Sequence, residues 1–88
     1  MICQRIVYSG HVQGVGFRYT THGLAQHYAV TGYVRNLPDG DVELVVQGEA
    51  DEVERFLKAL ESRMTDHIAA KKVHEQASGD FKGFTVRA

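Results

Sequence analysis

The chain is expected to fold as an α+β sandwich in β-α-β-β-α-β order, with two helices on one face of an antiparallel sheet. Three observations predict this. Two segments, Phe17 to about Ala29 and Glu49 to about Arg63, place apolar residues at helical spacing. The stretches around and between them alternate apolar and polar residues with a period of two. Pro38-Asp39-Gly40, a tight-turn signature, joins two of those alternating stretches and makes them a hairpin.

Each element has its own justification. Arg5 to Gly10 reads as a strand, with Ile6 and Tyr8 on one side and Arg5, Val7 and Ser9 on the other. In the first helix Phe17, Thr21, Leu24, Ala25 and Tyr28 form the buried stripe, and Gly23 weakens it by about 1 kcal/mol relative to alanine. Thr31 to Leu37 is the second strand, with Val34 and Asn36 on one face and Tyr33 and Arg35 on the other. Asp41 to Gln47 is the third, turning Val42, Leu44 and Val46 inward and Asp41, Glu43, Val45 and Gln47 outward. In the second helix Val53, Phe56, Leu57, Leu60 and Met64 make a single stripe, while Glu49, Asp51 and Glu52 suit the first turn, where the helix dipole favours negative charge. Ile68 to Glu75 alternates poorly but reads as a strand, and Phe84 and Val86 suggest a short final one. Short loops and right-handed crossovers close this order as the ferredoxin-like sandwich, a fold that hosts many functions.

Composition bounds the function. Eighty-eight residues make one domain, 1–88, burying roughly 60–65% of the surface the unfolded chain exposes. At 43% hydrophobic and 24% charged the sequence is that of an ordinary globule. No apolar run approaches the roughly 18 residues that span a bilayer, and the N-terminus lacks a signal peptide's continuous apolar stretch, so no membrane partner and a cytoplasmic location are expected. The net charge of −1 argues against a nucleic-acid partner. Cys3 is the one cysteine, which excludes an internal disulfide and a CxxC site. His22 and His27 are five apart, not on one helix face, so no metal site is expected. Nothing demands a protein partner, and a monomer is expected.

Chemistry concentrates in Gly10-His11-Val12-Gln13-Gly14-Val15-Gly16-Phe17-Arg18. Glycines let peptide N–H groups converge, because no Cβ blocks the approach. A helix start adds unpaired N–H donors and the positive end of the helix dipole. An arginine there supplies a planar fork that fits phosphate or carboxylate. Taken singly, Arg18 is as well explained as a surface helix residue, and Asn36 before Pro-Asp-Gly as turn chemistry. His11 reads as an incidental loop histidine.

Taken together, these residues resemble a known family. The loop from Gly10 to Arg18 resembles the first signature of the acylphosphatases, Gly-x-Val-Gln-Gly-Val-x-Phe-Arg. Gly32-Tyr33-Val34-Arg35-Asn36, followed by Gly40, Val42 and Gly48, resembles the second, and Phe81-x-x-Phe84-x-Val86 resembles the closing strand. The resemblance implies a small hydrolase of carboxyl-phosphate anhydrides, working on a small-molecule acyl phosphate with inorganic phosphate as product and with no cofactor or metal. It places the phosphate-binding arginine on Arg18, the water-orienting asparagine on Asn36, and the phosphate-holding loop on Gln13, Gly14, Val15, Gly16, Phe17 and Arg18. Two departures are slight: Gly16 stands at the variable position, and the sequence ends at Ala88 without a bulkier residue. Two other readings compete. A phosphate-holding regulatory module has no need of Asn36 opposite the arginine. An RNA-binding module needs aromatic residues where the third strand has Asp41 and Glu43 instead.

Overall fold

A computed structural model describes residues 1–88. The elements run β1 (Ile2–Gly10), α1 (Phe17–Ala25), β2 (Val30–Asn36), β3 (Val42–Gly48), α2 (Ala50–Arg63), β4 (Ile68–Glu75) and β5 (Phe84–Arg87). The strands form one sheet in the order β4-β1-β3-β2-β5. Four of them pair antiparallel as expected; the short β5 adds to the edge of β2 in parallel, with Val34 opposite Val86. No helix is long and apolar enough to cross a membrane.

The core lies between the sheet and the two helices. Ile6 and Tyr8 of β1, Val42, Leu44 and Val46 of β3, and Val53, Phe56 and Leu60 of α2 are fully buried together. The α2 stripe thus does what its spacing predicts. Helix α1 is shorter than its periodicity suggests. After Ala25 the N–H groups of His27 and Tyr28 donate three residues back, to the Leu24 and Ala25 carbonyls at 2.9 and 3.4 Å, which tightens the last turn out of α geometry. Tyr28 still reaches the core, its ring 5.9 Å from that of Phe56. The Glu52 carboxylate accepts the Ala29 N–H at 2.9 Å and ties that turn to α2.

The outer face of β3 is the larger surprise. Alternation turns Glu43, Val45 and Gln47 away from the helices, yet all three are buried. The carboxylate of Glu43 lies between the guanidiniums of Arg5 and Arg35, each Nε donating to one oxygen at 2.6 Å. Gln47 exchanges two hydrogen bonds with the Gly79 main chain, at 2.8 and 3.1 Å, so the segment between β4 and β5 covers that end of the face.

Candidate active site

The loop between β1 and α1, residues 11–16, and the turn between β2 and β3, residues 37–41, sit side by side. Gln13 holds them together. Its Nε2 donates to the Leu37 carbonyl at 2.8 Å and to the Asp41 carbonyl at 2.9 Å. The turn has its own frame: the Leu37 N–H donates to Asp41 O at 2.8 Å, the Gly40 N–H to Leu37 O at 3.2 Å, and the Asp39 carboxylate accepts the Asp41 N–H at 3.0 Å. Asn36, the last residue of β2, is therefore fixed in register by β3 on one side and by a pinned turn on the other.

Gly14 and Gly16 both have φ of +78°, in the left-handed region that glycine enters without steric cost. A Cβ at either position meets nothing within 4 Å, so the space above them is open. Gly16 caps α1 with no side-chain bond to the first-turn amides. The first of those amides to find a backbone acceptor is that of Thr20, on the Gly16 carbonyl at 2.9 Å. The amides of the preceding residues belong to the unpaired group at a helix start and carry the positive end of its dipole.

A cleft of about 380 Å³ opens over this corner, lined by Val12, Gly14, Gly16, Phe17, Arg18, Tyr19, Asn36 and Val86. Arg18, from the first turn of α1, donates through Nη1 to the Arg87 carbonyl of β5 at 3.2 Å. One edge of its fork is thus held by the edge strand. It is the only charged side chain in the lining. The neighbouring cation, Arg35, alternates to the opposite face, where Glu43 engages it.

The structure brings five of the seven expected site residues to the cleft: Gly14, Gly16, Phe17, Arg18 and Asn36. Gln13 and Val15 are not in the lining. The Gln13 side chain turns to the β2–β3 turn, and Val15 packs against the core. Nothing local to Gln13 signals its partners, which lie 24 and 28 positions away. His11 is also outside the lining; its ring lies 6.1 Å from that of His67. Tyr19 and Val86 also line the cleft; the sequence marked Val86 only as a strand residue and Tyr19 not at all. Beneath the site, Tyr8 donates to Glu61 at 2.8 Å, and Lys71 reaches both oxygens of that carboxylate at 2.8 and 2.9 Å. Burial first, and the Glu61 carboxylate second, push the Tyr8 hydroxyl well above its ordinary pKa, so it stays protonated as a core donor.

A small α+β sandwich with a glycine-lined cleft at the end of its first strand, carrying one arginine and one asparagine, is the class that fold and site define. The acylphosphatase family model matches residues 4–86. An acylphosphatase of Acaryochloris marina is 38% identical over 87 residues, covering 98% of this chain and 94% of that protein. One from Methanospirillum hungatei is 39% identical over 84 residues, covering 93% and 92%. The crystal structure of acylphosphatase from Bacillus subtilis superposes with a TM-score of 0.87 at 29% identity, covering 100% of both chains. The chain belongs to the acylphosphatase family, and its reaction is the hydrolysis of acyl phosphates.

Proposed function

We propose that hydrolysis proceeds by capture of the phosphoryl group between the main chain of Gln13 to Arg18 and the Arg18 guanidinium, with Asn36 aligning the attacking water. The observation that carries this reading is that the Gly14–Gly16 turn, Arg18 and Asn36 line one cleft, although they come from a loop, a helix and a strand. An acyl phosphate is already activated, because a carboxylate leaves readily, so positioning and charge stabilisation suffice. In the transition state negative charge spreads over three equatorial oxygens. The loop amides and Arg18 direct donors at them. No side-chain hydrogen bond within the protein engages the Asn36 carboxamide, so its oxygen is free to accept a hydrogen bond from the attacking water and its nitrogen to donate one. The water oxygen then attacks phosphorus, the bond from phosphorus to the acyl oxygen breaks, and the carboxylate leaves with the electron pair. A phosphate oxygen of the substrate takes the water's proton. In this reading a single domain over residues 1–88 acts as a monomer, without metal or nucleic acid.

The test is hydrolysis of benzoyl phosphate in the presence of EDTA, beside p-nitrophenyl phosphate. Turnover of the anhydride and not of the ester is expected. Turnover of neither, with phosphate still bound, would instead make the chain a phosphate-holding module.

A further inference from the structure

We propose that Tyr19 and Val86, backed by Val12, form a subsite for the acyl group, and that it selects acyl phosphates whose acyl group is uncharged and apolar. The inference rests on the phosphoryl capture set out above. Its starting point is size: a cleft of about 380 Å³ is far larger than a phosphoryl group and falls in the range of small-molecule sites. The polar lining consists of glycine main chain, Arg18 and Asn36, all of which the phosphoryl group and the water occupy. What remains is apolar. Four large hydrophobic residues are exposed in the whole chain, and two of them, Tyr19 at 85% and Val86 at 46%, stand on this lining. Exposed apolar residues scattered singly need no explanation, but two at the rim of a reactive cleft do. Val12 and Phe17 complete the apolar lining and are themselves buried in the hydrophobic core.

Charge sharpens the choice. No carboxylate and no second cation lines the cleft. A carboxylate on the acyl group would find Arg18 already committed to phosphate and would sit beside a tyrosine ring and a valine, losing water without gaining a partner. An aromatic or branched aliphatic acyl group loses nothing on entering and covers the Tyr19 ring. The tyrosine contributes through its ring face, not its hydroxyl.

Three substrates separate the possibilities: acetyl phosphate, benzoyl phosphate and 4-carboxybenzoyl phosphate, the last differing from the second by one charge. The wild-type protein is expected to favour benzoyl over 4-carboxybenzoyl phosphate in kcat/KM by about tenfold or more. Tyr19→Ala is expected to lower the benzoyl-to-acetyl ratio of kcat/KM by about fivefold, through KM, and Tyr19→Phe to restore it. Val86→Ser is expected to move the ratio in the same direction. Hydrolysis of all three at equal kcat/KM, or a benzoyl-to-acetyl ratio that neither Tyr19→Ala nor Val86→Ser moves, overturns the subsite and leaves the hydrolase reading standing. Absence of turnover on all three overturns both.

Discussion

Replacing Gln13 by alanine tests whether the loop is held or merely present. The variant removes two neutral hydrogen bonds, of 2.8 and 2.9 Å, between the β1–α1 loop and the β2–β3 turn. Such bonds are worth about 0.5–1.5 kcal/mol each, so the pair holds the loop by about 1–3 kcal/mol. Neither acceptor is orphaned: Leu37 O keeps the Gly40 N–H and Asp41 O keeps the Leu37 N–H. The loss therefore falls on the order of the loop and not on a buried unpaired carbonyl. If the docked loop is the binding-competent state, affinity for phosphate falls by the same free energy, between about fivefold and about 150-fold. The assay is competitive inhibition by inorganic phosphate, beside kcat and KM for benzoyl phosphate, well below the melting temperature. The expected signature is a raised phosphate Ki and a raised KM, with the larger loss in KM. Thermal unfolding sets the control, since a purely structural residue would lower Tm by about 4–8 °C per kcal/mol and leave the folded site intact. A phosphate Ki within twofold of wild type would refute the reasoning.

Three further outcomes are expected. Arg18→Ala lowers kcat/KM for benzoyl phosphate by about 10³-fold or more, and Arg18→Lys recovers little of it, because an ammonium lacks the fork; near-normal turnover in steady-state assays would reject the assignment. Asn36→Ala binds inorganic phosphate almost as well as wild type yet barely turns over; the contrary pattern, lost phosphate binding with kcat kept at saturation, would contradict a water-orienting role. Glu43→Gln lowers stability at neutral pH by about 1–3 kcal/mol, below the range for fully buried pairs because Arg5 and Arg35 are 36% and 43% exposed and solvent screens them. Burial alone raises the Glu43 carboxyl, but hydrogen bonds from Arg35 and Arg5 outweigh it and hold the group below its ordinary 4.5. The folded form thus binds its proton less readily than the unfolded one, so this stabilisation is full above the ordinary carboxylate range and is lost as pH falls through the lowered value. Urea titrations from pH 7 down to pH 3 are expected to show wild type and variant converging at the acid end; a constant gap would contradict the ion-pair account.

Much of this was legible in the residues. The stripe of Val53, Phe56, Leu57, Leu60 and Met64 specified α2 and its buried face, because helical periodicity is written in the helix itself. The alternation of Val42, Leu44 and Val46 specified which side of β3 meets the core. Gly14, Gly16, Arg18 and Asn36 were visible as candidates on other grounds: residue type alone left Arg18 and Asn36 open to bland readings, and the resemblance of the two motifs together singled them out. The end of α1 was not, since Tyr28 keeps helical spacing while the backbone under it has already tightened.

What covers a face is a different matter from which way it points. The alternation turned Glu43 outward, and it does point outward, but only the assembled sheet sets Arg5 and Arg35 on either side of it. Gln13 finds two carbonyls on a turn more than twenty residues away, and Val86 reaches the cleft because β5 returns to pair in parallel with β2. Local sequence sets dihedral preferences and periodicity over one element. Packing, pairing and the approach of loops arise from chain closure over long separations, and those decided which of the visible residues share one cleft.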